Sequence, residues 1–301
     1  MTDNLRGIVA VLVSSVAFVL NDVCVKLASA ELPSGEILVV RGVLATAMLA
    51  VGVVAFGAVR PLAILFTPMM LLRLASAAGA TVFIVVSLRY LPLATVVTVL
   101  QVTPLAVTAG AAIIYRERVG WPRWLATLTG FLGVVLIVKP DGAFGAAAVL
   151  ALAMLIFSTL RDLTTRGLHH DIPSIFVAAA SAAAITLAGF LVAPFDEPWR
   201  MPSGSAWGLM TMSAACLFVG NTFMIMAMRT GEMSVISPFR YVMVPLSILL
   251  GYWLWGDIPD ALASLGIGLV LAAGLYTLHR ERHGLMARRA AAPQRNPAER
   301  P

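Results

Sequence analysis

Charge is scarce in this chain. Asp, Glu, Lys and Arg make up 12% of its 301 residues, against about a quarter in an ordinary soluble domain. A shortage that large excludes a soluble globular protein with a normal hydrated surface. Cysteine is nearly missing. Cys24 and Cys216 lie inside apolar runs and form no CxxC pair, which excludes a disulfide scaffold or a thiolate metal site and leaves them as small core residues. Histidine is also sparse, and residues 169, 170, 279 and 283 all stand at segment ends. No HExxH, GxSxG or Walker loop occurs, so the groupings that hydrolysis or nucleotide chemistry needs are not present. The expectation is therefore no enzyme activity, no cofactor and no metal.

What the chain has is hydrocarbon. Sixty per cent of its residues are hydrophobic, and mean hydropathy is +0.92. A membrane-spanning helix needs roughly 20 apolar residues. Ten such segments are predicted, at 7–27, 36–56, 70–90, 93–114, 123–138, 145–163, 173–193, 205–228, 233–255 and 260–278. The fold class is an all-α integral membrane protein of ten transmembrane helices. The first segment lacks a small-residue cleavage site and is followed by nine more, so it reads as a helix and not as a removable signal.

The ten segments fall into two sets of five. A shift of 140 carries Asp22 onto Asp162, Lys26 onto Arg166, Glu31 onto Asp171, Pro33 onto Pro173, Ser34 onto Ser174 and Arg89 onto Arg229. It also brings Glu117 near Asp257, and Pro104 onto Pro245 with one inserted residue. One unit written twice gives repeats at 5–139 and 145–280, joined by a Lys139-Pro140-Asp141-Gly142 turn. A basic tail at 281–301 is expected to be disordered.

Net charge is +6, but its placement speaks of membrane orientation and not of nucleic acid. With the N-terminus inside, 15 Lys and Arg fall at inner ends: Arg6, Arg60, Arg73, Arg116, Arg118, Arg123, Arg161, Arg166, Arg229 and six from Arg280 onward. Four fall at outer ends: Lys26, Arg89, Lys139 and Arg200. That bias places both termini in the cytoplasm, and the expected location is a bacterial-type inner membrane. Five helices per unit is an odd number, so the second unit enters inverted. Inverted repeats are a recurrent plan of secondary transporters, with the site near the midplane between halves.

Several polar residues stand where they cost energy. Asp22 and Lys26, like Asp162 and Arg166, are four apart and can meet on one helix face. Each pair either neutralises itself and anchors a helix end or, with Asp22 the better placed, forms a gate or proton site. Arg41 and Arg240 lie within spans and need a carboxylate, a carbonyl or a water-filled cavity. Arg41 has two ordinary outlets, snorkelling outward or reaching Glu36. Gln101 and Tyr241 are equivalent under the 140 shift, each near a proline that frees a carbonyl one turn back. They read either as ligand contacts or hinges, or as helix–helix hydrogen bonds. Asn221, with Thr81 as its counterpart, is similar. Ala126 with Gly130, and Gly268 with Ala272, are small pairs at spacing four that favour close helix packing.

The stretches Thr103-Pro104 through Tyr115-Arg116-Glu117-Arg118 and Val244-Pro245 through Trp255-Gly256-Asp257, one in each half, resemble the drug/metabolite transporter superfamily with two EamA domains. The opening DNLRGIVAVL…FVLNDVCVKL…LPSGEILVVRG is similar to the branch that includes S-adenosylmethionine carriers. Asp257 stands where that pattern usually has Glu. The resemblance implies alternating access through a cavity lined mainly by segments 1, 3, 4, 6, 8 and 9. It makes Gln101, Asn221, Arg240 and Tyr241 the substrate-binding candidates and Glu117 and Asp257 loop anchors. Asp22, Lys26 and Arg41 remain gating or coupling candidates, with proton coupling left open. The expected function is secondary transport of a small polar or amphipathic metabolite, such as an amino acid, nucleoside-like compound or drug. Its partners are that solute and the lipid bilayer. The alternative is a membrane-embedded enzyme acting on a lipid or isoprenoid.

Overall fold

A computed structural model describes residues 3–116, 120–138, 145–168, 171–230 and 233–291. Glu117, His169, His170, the turn expected at 139–142 and residues 231–232 lie outside the described residues, as does the tail from 292. Among the described residues there is no β-strand.

The chain runs as α1 (Asp3–Ala28), α2 (Ser34–Ala55), α3 (Pro68–Tyr90), α4 (Leu93–Leu100), α5 (Thr103–Ile114), α6 (Trp121–Val138), α7 (Ala146–Arg166), α8 (Ser174–Val192), α9 (Gly204–Thr230), α10 (Met233–Ile236), α11 (Met243–Trp255) and α12 (Ala261–Ala291). Among the described residues, nine helical stretches, counting α4 with α5 as one, are long and apolar enough to cross a membrane. Prolines start many of them. Pro33, Pro92 and Pro173 occupy extended N-cap positions, where a missing N–H costs nothing. Gly256 ends α11 in the left-handed region at φ 70°, a conformation glycine adopts without Cβ strain. Large apolar side chains such as Val51, Val54, Leu191 and Trp253 are exposed on the outside of the bundle. In water that would be a liability, and in lipid it is the required surface.

Two of the predicted segments are broken. The fourth is interrupted at Gln101 and Val102 between α4 and α5, next to Pro104, which has no N–H for the carbonyl of Leu100. The ninth becomes α10, a 3-10 stretch at Ser237–Val242 and then α11, with Pro238 opening the 3-10 turn. The last helix continues to Ala291, past the point where the basic tail was expected to lose structure.

Packing pairs the first half with the second. The main contacts join α1 to α9, α3 to α7, α2 to α8, α4 to α11 and α6 to α12. Glycines set the closest of these. A Cβ on Gly133 would lie 2.7 Å from the carbonyl of Gly266, and one on Gly266 would lie 2.6 Å from that of Gly133. The two backbones therefore touch there, and not at the Gly268–Ala272 pair, since Gly268 faces open space. Gly130 meets Leu105 instead of α12 backbone. Spacing marked the right helices, but the crossing point depends on a rotation that spacing does not encode.

The loops alternate between two ends of the bundle, called here the Pro33 end (α1 to α2) and the Pro173 end (α7 to α8).

Candidate functional site

The Pro33 end is laced shut. Lys26 does not turn to Asp22 as the four-residue spacing suggests. Its Nζ donates to the carbonyls of Leu91 at 2.6 Å and Leu88 at 3.2 Å and lies 5.3 Å from the Trp255 ring centroid. The reason lies in α3. Pro92 cannot donate to the Leu88 carbonyl four residues back, so the end of α3 needs an outside donor. The segment 193–203 is tied down by carboxylates. Asp196 accepts from the backbone N–H of Gly35 at 3.0 Å, Glu36 from that of Arg200 at 3.0 Å, and Glu31 from that of Ser203 at 2.9 Å. Arg89 pairs with Glu197. Glu36 is thus engaged by Arg200 and is not the partner of Arg41.

Roughly two helical turns inside this end lies a buried polar cluster. Ser213 of α9 donates to Asn21 Oδ1 at 2.7 Å, and Arg41 of α2 donates to the same oxygen at 3.4 Å. Asn21 Nδ2 donates to Asp22 at 2.9 Å. Arg41 and Asp22 attract each other electrostatically. All four residues are buried, none more than 8% exposed. Arg41 therefore points inward and does not snorkel. One acid and one base share the pocket, and Asn21 bridges them with both ends of its amide.

A second cluster sits at similar depth inside the Pro173 end. Arg161 donates to Asp162 at 2.9 Å. Arg73 of α3 donates to Thr165 Oγ1 at 2.6 Å and reaches Ser181 Oγ of α8 at 3.5 Å. Arg240 feels the charges of Asp162 and Arg161, and Arg73 feels the same two. This cluster is open. The Arg161 and Asp162 side chains are 33% and 43% exposed, and Arg240 is exposed although protein surrounds it closely.

The two clusters occupy matching positions. Adding 140 takes Asn21, Asp22 and Arg41 to Arg161, Asp162 and Ser181, and takes Arg73 to Ser213. Sequence reasoning weighed Asp22 and Arg41 but passed over Ser213, Ser181, Arg73 and Arg161 as a set. The 140 shift, applied to every polar position, would have found them.

Between the clusters, the two broken segments meet. Gln101 Nε2 donates to the backbone carbonyl of Arg240 at 3.2 Å, so the break after α4 is stitched to the 3-10 turn before α11. Breaks leave carbonyls without intrahelical donors, and Gln101 supplies one. Thr98 and Thr103, on either side of the break, carry buried hydroxyls with no partner among the described residues. Of the four substrate candidates, Gln101 and Arg240 come together here. Tyr241 faces elsewhere, its ring pressed on Gly274 of α12, where a Cβ would collide with it. Asn221 donates to the Leu217 carbonyl of its own helix at 2.8 Å.

The EamA-like transporter family model matches this chain twice, at residues 5–139 and 145–278. The chain belongs to the EamA-like transporter family. It is a multi-pass membrane protein of that family and not an enzyme. It is 28% identical to a riboflavin transporter of Vibrio cholerae over 58% of this chain and 59% of that one. It is 25% identical to a pseudopaline exporter of Pseudomonas aeruginosa over 92% and 97%. It is 24% identical to an S-adenosylmethionine uptake transporter of Rickettsia conorii over 64% and 66%. The matches to the Vibrio and Rickettsia proteins thus span less than two thirds of those chains. A solved crystal structure shares the fold at TM-score 0.60 and 19% identity, over 96% of this chain and 99% of that one.

Proposed function

We propose that this EamA-family chain is a secondary transporter that moves a small polar or amphipathic metabolite across a bacterial inner membrane by alternating access. Its two five-helix halves are inverted copies, and both termini are cytoplasmic, which makes the Pro173 end the inner one. The observation that carries the reading is the pair of matched clusters, one sealed and one open, on either side of two interrupted helices. Such a pair is what a single gate design built at both ends would look like with one gate shut. The cross-half pairing supports it too. Contacts of α1 with α9 and of α3 with α7 exchange under a two-fold relation, while α2–α8 and α6–α12 map onto themselves.

In this reading Gln101 and Arg240 line the central site. Asn21, Asp22 and Arg41 form the outer gate, with Asp22 the candidate for proton coupling, and Lys26 holds the outer mouth. The relatives named as riboflavin, pseudopaline and S-adenosylmethionine carriers support a small organic solute without choosing one. They also disfavour the lipid-modifying enzyme weighed from the sequence.

The test is uptake by proteoliposomes of purified protein, screened against labelled flavins, amino acids, nucleosides and S-adenosylmethionine, with and without a pH gradient. Saturable flux of one class is expected. No flux of any class in vesicles with verified insertion would overturn the reading.

A further inference from the structure

We propose that Arg73, Arg161 and Arg240 bind an anionic group, a carboxylate or phosphate, on the transported solute, and that this anion lets the Pro173 end close. The second part rests on the transport reading above.

The argument is one of charge at equivalent positions. The sealed cluster holds Asn21, Asp22, Arg41 and Ser213, one acid against one base. Its counterpart holds Arg161, Asp162, Ser181 and Arg73, two bases against one acid. The 3-10 turn before α11 then adds Arg240, whose equivalent under the shift is the apolar Leu100. Arg73, Arg161 and Arg240 each interact electrostatically with the same carboxylate, Asp162.

The neutral partners do not change that sum. Thr165 and Ser181 give Arg73 hydroxyl oxygens, which orient the guanidinium without neutralising it. Gln101 holds Arg240 by its backbone and leaves its side chain uncommitted by that bond. Water solvates the surplus charge while this end is open. Closure would strip the water away, and an uncompensated charge in a low-dielectric interior is far costlier than a matched pair. The sealed cluster closes without help because Asp22 already answers Arg41.

Arginine is suited to the missing partner. Its planar fork matches the two oxygens of a carboxylate or phosphate, and it stays charged. Three forks, from α3, α7 and the α10–α11 break, lie within electrostatic reach of one carboxylate, Asp162. A solute anion placed among them joins both halves of the chain, and an empty carrier closes this end poorly. Exchange of anion for anion is then faster than net release.

The experiment is thermal unfolding of the full chain in phosphatidylcholine nanodiscs, at matched ionic strength, with citrate, phosphate or glutamate set against chloride, choline and ribose. Saturable stabilisation by the carboxylates or phosphate alone is expected. R73Q and R240Q should each weaken the apparent affinity about tenfold or more, the scale of a lost hydrogen bond to a charged group. R240K should retain part of it, and R60Q, at an exposed loop, all of it. Stabilisation no greater than that of chloride, or equal in R73Q and wild type, overturns the proposal. So does a response reproduced by phosphatidylglycerol in the discs and then insensitive to added solute, which would assign the arginines to a lipid headgroup.

Proteoliposome flux separates the two readings. Anion binding without flux removes transport and keeps the site. Flux of a neutral or cationic solute, unchanged in R240Q, removes the anion site and keeps transport. Efflux that is no faster with the anion on the opposite side overturns the closure step.

Discussion

Asp22 and Asp162 hold the same place in the two halves of this molecule, yet they live in different surroundings. Asp22 is buried beside Arg41, with Asn21 bridging the two and Ser213 completing the pocket. Asp162 is 43% exposed, pairs with Arg161 and attracts Arg73 and Arg240. The contrast teaches that sequence symmetry and chemical symmetry separate once each half is free to drift. The buried version is restricted to a composition that sums to zero, because an unpaired charge there has no solvent to turn to. The open version tolerates a surplus while water reaches it.

The sharpest way to break that comparison is R41Q. It strands Asp22 in a buried pocket, and about 3 kcal/mol of destabilisation is expected, read as a large fall in the thermal midpoint of detergent-solubilised protein. The R41Q/D22N double variant should recover part of the loss, because two neutral groups leave no buried charge. K26Q comes next. It removes the donor to the Leu88 and Leu91 carbonyls and the contact with Trp255, and about 1–2 kcal/mol is expected. Cysteine labelling at the Pro33 end should rise with it as that mouth loosens.

R73S gives the open cluster the residue its counterpart has. Stability should change by less than about 1 kcal/mol, since water and a surplus of like charge surround Arg73. A loss as large as that of R41Q would show that the two clusters carry equal weight in the fold. The smallest effect should come from E197Q. The Arg89–Glu197 pair is exposed on the carboxylate side, and such pairs contribute about 0.5 kcal/mol, a shift near the limit of a thermal melt.

Much of this was legible in the residues. Apolar segments at regular intervals give the spans, because lipid leaves a backbone no option but to satisfy itself internally. Pro104 and Pro245 foreshadow the breaks at Gln101 and before α11, although the apolar composition runs on through both. The side-chain partners were harder to read. Lys26 four residues from Asp22 is a sound local inference, yet α3 supplied stronger acceptors from more than sixty positions away. Arg41 had Glu36 five residues off, but Arg200 and its loop took that carboxylate first. Tyr241 looked like a twin of Gln101 until Gly274 opened a slot for its ring in α12.

The sequence by itself determined the membrane class, the positions of the apolar segments and the twofold pattern of charges and prolines, since each depends on local composition or a fixed offset. Tertiary structure decided which polar groups meet. Helix rotation and the crossing at Gly133 and Gly266 fix those meetings, and they are set by packing of the whole bundle. Only that packing buried one copy of the cluster and left the other partly exposed.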